Sequence, residues 1–146
     1  MRALKTTVHP SVVPSVVPPV ESDAPVLVID DQLPDALGSE RTLTAAGYEV
    51  KRESDGDAAL QSVRASLIRV VVSELYVRCA ESRCVVAALK ENRRRLPRLR
   101  VVVYTRHTAA VDLEWALAAG ADAVVFKSAP DRVLLREVRW ALGAVA

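Results

Sequence analysis

Val26-Leu27-Val28-Ile29-Asp30-Asp31 joins four consecutive apolar residues to a pair of carboxylates. An apolar run with no polar residue inside it is typical of a strand buried on both faces, as in a parallel sheet covered by helices. In open sheets of this kind, ligands bind beyond the carboxyl ends of the strands. The stretch therefore predicts a buried strand over 26–29 with a polar site at its end.

Similar runs recur along the chain, and each is followed by a segment whose apolar residues have helical spacing. Further strands are predicted at 70–72, 101–103 and 123–126, and an edge strand at 48–52, where apolar and polar residues alternate. One of the intervening helices is expected to bury Leu60, Val63 and Leu67 on one face. Strands and helices in alternation, with right-handed crossovers, predict an α/β fold: a doubly wound parallel sheet of five strands with helices on both faces.

Composition limits the class of protein. Hydrophobic residues make up 51% of the 146 positions, enough for one sizeable core, and five of the eight prolines fall in the first 25 residues. We therefore expect a disordered Pro/Val-rich arm over 1–24, either without function or docking to a partner, and one domain over 25–146. The formal net charge of +2 favours neither nucleic acid nor membrane as a partner. Two cysteines without a disulfide framework favour a cytoplasmic location.

The predicted strands end in residues that suit phosphate and metal chemistry. These ends are Asp30-Asp31, Ser73-Glu74, Tyr104-Thr105 and Phe126-Lys127. Carboxylates packed together repel one another unless a cation lies among them, so we expect Mg²⁺, the Lys127 ammonium, or both at this edge of the sheet. Lys127 is expected to form an ion pair with Glu74 or with the acidic pair.

In this order and spacing, the motifs resemble those of the receiver domains of two-component response regulators, the CheY-like domains. The pieces that carry the resemblance are 26–31, Asp55-Gly56-Asp57-Ala58-Ala59-Leu60, Thr105, and Ala119-Gly120-Ala121-Asp122 leading to Lys127. The resemblance covers residues 25–146. It implies a flavodoxin-like fold with the strand order 2-1-3-4-5.

Glu74 stands where receivers carry the aspartate that accepts the phosphoryl group. The resemblance places the Thr105 hydroxyl and the Lys127 ammonium around it, as groups that contact the phosphoryl oxygens. Glutamate is one methylene longer than aspartate, and a displacement of about 1 Å can slow a reaction by about 10²-fold. We therefore expect slow or absent phosphorylation, with Glu74 imitating a phosphoaspartate by one negative charge against roughly two.

The resemblance also implies a Mg²⁺ site. Asp30 and Asp31 correspond to the metal-binding acidic pair of the family, and Glu74 and Tyr76 complete the set, since the loop after the third strand supplies a backbone carbonyl in receivers. That loop lacks the proline usual in the family. Weak or absent Mg²⁺ binding is therefore expected.

Trp115 and Trp140 are candidates for an interaction surface. Trp140 lies off the apolar stripe of the last predicted helix, and receivers commonly pair or dock through the fourth helix, fifth strand and fifth helix. A homodimer through that surface is one expectation. The alternative, that both indoles close the edge of the core, suits tryptophan equally well.

These features favour a stand-alone, atypical pseudo-receiver that is not an enzyme. We expect it to act without phosphorylation, as a signalling or scaffold module that binds a histidine kinase or a downstream effector. The alternative is a phosphorylatable, Mg²⁺-dependent single-domain regulator in a phosphorelay. A phosphohydrolase is less well supported, because no glycine-rich phosphate loop or nucleophile elbow is present.

Overall fold

The computed structural model describes residues 25–92 and 95–143, in which strands and helices alternate. The strands are β1 Val26–Ile29, β2 Val50–Glu53, β3 Val70–Ser73, β4 Arg100–Thr105 and β5 Ala123–Phe126. The helices are α1 Leu33–Ala45, α2 Gly56–Ala65, α3 Val85–Asn92, α4 Ala110–Ala119 and α5 Asp131–Ala141. The arm predicted over 1–24 lies outside the described residues.

The five strands form one parallel sheet in the order β2-β1-β3-β4-β5. The predicted fold class and strand order are therefore confirmed. In this order β1 lies between β2 and β3, so the chain reverses the direction in which strands are added after β2. The carboxyl ends of β1 and β3 adjoin at this switch point, with Ile29 opposite Ser73.

Successive residues of the central strands enter opposite cores, as the period of two along a strand requires. Leu27 and Ile29 pack with α2, α3 and α4, whereas Val26 and Val28 pack with α1 and α5. This double burial is the physical reason for the uninterrupted apolar runs in the sequence. No helix in the described ranges is long and apolar enough to cross a bilayer.

Two local predictions were wrong in detail. Tyr48 is not in the edge strand, which begins at Val50. The Tyr48 side chain is instead buried in the core formed with α1 and α5. Leu67 is 85% exposed rather than part of the buried face of α2. The helix ends at Ala65, and the extended backbone of Ser66 takes Leu67 off the helical repeat.

Candidate functional site

The candidate site lies at the carboxyl edge of the sheet, where four strands end. Glu74 follows β3, and its amide donates to the Ile29 carbonyl of β1 at 2.9 Å. Lys127 follows β5, and its amide donates to the Thr105 carbonyl of β4 at 2.8 Å. These backbone bonds continue the ladders by one residue and so fix where each side chain starts.

Lys127 lies at the centre of the site. Its Nζ is 2.7 Å from Asp30 Oδ2, 2.9 Å from Asp35 Oδ2 and 2.9 Å from Glu74 Oε1, and its side chain is only 6% exposed. Burial lowers the pKa of Lys127, but the hydrogen bonds to Asp30, Asp35 and Glu74 outweigh it and raise that pKa above its ordinary value. The ammonium therefore stays charged, and the ion pair expected from the sequence is present.

Both carboxylate oxygens of Glu74 are held. Oε1 pairs with Lys127, while Oε2 accepts a short hydrogen bond from Thr105 Oγ1 and another from the Leu75 amide at 2.6 Å. Thr105 is itself fixed, because it is buried and its Oγ1 accepts from the His107 amide at 3.0 Å. The structure thus brings Glu74, Thr105 and Lys127 together in one constellation.

The two aspartates of the acidic pair have different surroundings. Asp30 is buried; its Oδ1 accepts from the Gln32 amide at 2.9 Å, and its Oδ2 accepts from Lys127. Burial raises the pKa of Asp30, opposed by the hydrogen bonds from Lys127 and Gln32. Asp31, by contrast, is exposed.

Asp35 is a member of the site that the sequence analysis missed. It lies in the first turn of α1, and it accepts from Arg106 Nη2 at 2.7 Å and Nε at 3.0 Å as well as from Lys127. The hydrogen bonds from Arg106 and Lys127 lower the pKa of Asp35 to about 2. Part of the signal lies in the sequence, because α1 begins two residues after the acidic pair, but the contact of Asp35 with Lys127 depends on how the first turn packs.

Tyr76 and Trp115 belong to a neighbouring surface. The Tyr76 hydroxyl donates to Asp112 Oδ1 at 2.5 Å, and its ring lies 4.9 Å from that of His107 and 5.9 Å from that of Trp115. The hydrogen bond to Asp112 raises the pKa of Tyr76 to about 12.

Trp140 is not joined to this surface. It is half-buried against the core formed with α1 and α5, whereas α4, which carries Trp115, packs into the core on the other face of the sheet. The two indoles therefore lie on helices that cover opposite faces, and Trp140 is placed as a side chain closing the core edge.

The carboxylates of the expected Mg²⁺ site contact protein donors. Both oxygens of Asp30 are engaged by protein donors, those of Glu74 are too, and the Lys127 ammonium occupies the point on which the carboxylates converge. Within 25–92 and 95–143, no group of three or more His, Cys, Asp or Glu side chains is placed to hold a metal ion. Asp31 is exposed, and the metal set of Asp30, Asp31, Glu74 and Tyr76 stays a prediction.

The fold agrees with the comparison to known families. A family model, the response regulator receiver domain, matches residues 26–139. The chain belongs to the response regulator receiver family. Receivers act in two-component signalling, generally as non-enzymatic modules that interact with kinases or effectors, and they typically bind Mg²⁺ for phosphorylation. The resemblance seen in the sequence motifs is thereby confirmed.

One curated relative is the transcriptional activator protein ExaE of Pseudomonas putida. It is 30% identical to this receiver over 123 residues, which are 83% of this chain and 56% of ExaE. The chain thus spans little more than half the length of that relative.

Solved structures show the same fold. A CheY-like receiver domain from Methanospirillum hungatei superposes with a TM-score of 0.70 at 19% identity, covering 82% of this chain and 94% of that one. Chemotaxis response regulator CheY4 of Vibrio cholerae gives 0.69 at 24%, covering 81% and 98%. NtrX from Brucella abortus, in complex with ADP, gives 0.70 at 26%, covering 82% of this chain but only 27% of NtrX.

Proposed function

We propose that this receiver signals without being phosphorylated, as a module that binds another signalling protein. The observation that supports the proposal is the engagement of both Glu74 oxygens by Lys127, Thr105 and the Leu75 amide. A phosphoacceptor needs a free, aligned oxygen for in-line attack on the donor. Glu74 at the acceptor position has its two oxygens committed to neighbours.

In this proposal Glu74 stands in for the phosphoryl group itself. Its Oε1 and Oε2 meet an ammonium and a hydroxyl, the two groups that contact phosphoryl oxygens in receivers. The imitation is partial, because a carboxylate brings one negative charge and two oxygens, against roughly two charges and three oxygens for a phosphate. We expect it to hold the pocket in one state rather than to switch it.

Lys127 is the counterion of the carboxylates in the site. One buried ammonium faces Asp30, Asp35 and Glu74, and the exposed Arg106 adds a second positive charge at Asp35. These two positive charges offset most of the charge of the three carboxylates without a divalent ion, which supports weak or absent Mg²⁺ binding.

The module would signal by binding a partner protein through its surface. We propose that a histidine kinase or a downstream effector binds the receiver-like domain over 25–146, with a homodimer through α4, β5 and α5 as one arrangement. The free thiols of Cys79 and Cys84 fit the reducing cytoplasm in which we place the protein.

The decisive experiment is incubation of the whole protein with acetyl phosphate and Mg²⁺, followed by intact-mass measurement. We expect the unmodified mass, because the Glu74 oxygens are engaged. Stoichiometric formation of a hydroxylamine-sensitive acyl phosphate would overturn the proposal and favour the phosphorylatable regulator.

A further inference from the structure

Aromatic and apolar side chains are exposed together beside the site. We call Tyr76, His107, Val111 and Trp115 the aromatic patch. Tyr76 is 39%, Val111 65% and Trp115 38% exposed. Contiguous exposed side chains of this kind mark contact surfaces, and tyrosine and tryptophan dominate the binding energy of many interfaces.

The patch is held in shape before any partner binds. The Tyr76 hydroxyl is tied to Asp112 of α4 at 2.5 Å, and its ring stands edge-on to His107 at 4.9 Å. The same ring is tilted against Trp115 at 5.9 Å. A preorganised surface loses less conformational entropy on binding, so it can hold a ligand with few contacts.

Adjacent tyrosine and tryptophan rings with a polar rim have a characteristic class of ligand, the proline-rich segment. Such segments favour polyproline II, whose low conformational entropy and apolar ridges suit aromatic-lined surfaces. This chain contains one: residues 10–19 read Pro-Ser-Val-Val-Pro-Ser-Val-Val-Pro-Pro. It has no aromatic or charged residue, so its side chains offer only apolar contacts and two hydroxyls.

The segment has sufficient reach. Residue 25 leads into β1 at Val26, at the sheet edge opposite the site. The patch lies at most the height of α4 above that edge, about 15 Å for ten residues. The strand that precedes α4 is two positions from β1, about 10 Å away. Together these give a straight-line separation of about 18 Å. Residues 20–24 span up to about 16 Å in polyproline II and each further residue adds about 3.1 Å, so the patch is within reach of residues before 19.

We propose that residues 10–19 dock on the aromatic patch of the same molecule and cover it. Attachment to the domain gives the segment an effective concentration on the order of millimolar. A contact with a dissociation constant of about 0.1 mM would then be about 90% occupied. A partner that uses the patch must displace the segment, so the arm regulates access to the surface.

The test uses the full chain and the emission of Trp115. Because the sequence has two tryptophans, W140F leaves Trp115 as the reporter. In that background, P14S together with P18S and P19S replaces three of the four prolines of the segment and leaves only Pro10. If docking is about 90% complete, its loss raises acrylamide quenching of Trp115 by at least about twofold and shifts the emission to the red.

Two controls make the outcome decisive. P97S in the W140F background exchanges an exposed loop proline far along the chain from the segment and is expected to leave quenching unchanged. Serial dilution of W140F is expected to leave Trp115 protection unchanged, as docking within one molecule requires. Equal quenching in the triple-proline variant and W140F would overturn the proposal. Protection that falls on dilution would also overturn it, in favour of a contact between two copies.

Discussion

The Lys127 ammonium lies 2.9 Å from Glu74 Oε1, and the same nitrogen contacts the carboxylates of Asp30 and Asp35. A single buried positive charge therefore ties together residues that follow β1, β3 and β5 and the first turn of α1. Removing the ammonium leaves three carboxylates without their buried cation. Removing one carboxylate leaves an ammonium that still has two partners. The two changes should therefore lower the stability of the fold by very different amounts.

K127M should destabilise the domain strongly. Breaking a buried ion pair by removing one partner typically costs about 3–5 kcal/mol, and here the remaining carboxylates also repel one another. Without the Lys127 hydrogen bond, burial raises the pKa of Asp30 further, so the loss of folding free energy should be largest near neutral pH and shrink as falling pH protonates Asp30. Urea unfolding of K127M and of the unsubstituted protein at several pH values measures this loss in the free energy of unfolding.

E74Q is the matched comparison for K127M. Lys127 keeps Asp30 and Asp35, and a glutamine oxygen can still accept from Thr105 or the Leu75 amide. We expect the free energy of unfolding to fall by about 1.5–3 kcal/mol, the scale of a hydrogen bond to a charged group. Equal losses in K127M and E74Q would contradict a central role for the ammonium.

Asp35 should contribute an acid-sensitive part of the stability. Its pKa of about 2 lies below the ordinary 3.8, so its ion pairs stabilise the fold fully above the ordinary value and lose effect as pH falls toward 2. D35N should therefore cost about 1–2 kcal/mol at neutral pH, a value reduced for solvent screening because Arg106 is 69% exposed. The difference in the free energy of unfolding between D35N and the unsubstituted protein should shrink between about pH 4 and 2.

E40Q serves as the surface control for D35N. Glu40 pairs with Arg52 at 2.9 Å, and both side chains are more than a third exposed. Exposed pairs of this kind are worth about 0–1 kcal/mol. A D35N effect no larger than that of E40Q, or one that persists unchanged at low pH, would remove Asp35 from the ion-pair network.

The sheet could be predicted from sequence because its central strands are buried on both faces. Burial leaves an uninterrupted apolar run, as in 26–29, and the chemistry at the strand end follows directly after it. The edge strand was displaced by two residues, because Tyr48 is buried by α1 and α5 rather than by strand pairing. Alternation alone does not distinguish those two kinds of burial.

Those site residues that lie at the ends of strands could be predicted from the sequence. Glu74, Thr105 and Lys127 were expected together because parallel strands end at one edge. Asp35 was missed because it comes from a helix, and the distance from the acidic pair to that helix depends on how its first turn packs. Nothing in the local sequence marks its contact with Arg106, which is distant along the chain and formed by the tertiary fold.

Two glycines offer a paired test of the packing under the site. A Cβ on Gly56 would lie 2.2 Å from the Arg78 carbonyl oxygen, so G56A must displace the loop after β3 and should cost about 1–3 kcal/mol. A Cβ on Gly38 would meet nothing within 4 Å. G38A, inside α1, should stabilise by about 0.5–1 kcal/mol through helix propensity. Opposite shifts of the urea midpoint are expected, and a neutral G56A would contradict the close approach of that loop.

E74D should recover phosphorylation that the glutamate prevents. Shortening the side chain by one methylene withdraws the carboxylate from Thr105 and Lys127 and frees an oxygen at the position that receivers phosphorylate. Realignment by about 1 Å corresponds to about 10²-fold in rate, so E74D should accumulate acyl phosphate from acetyl phosphate where the unsubstituted protein does not. E74N is the matched control: it has the length of aspartate but no carboxylate, so it should keep its unmodified mass. An E74D protein of unchanged mass and native fold would show that the length of residue 74 is not what blocks the reaction.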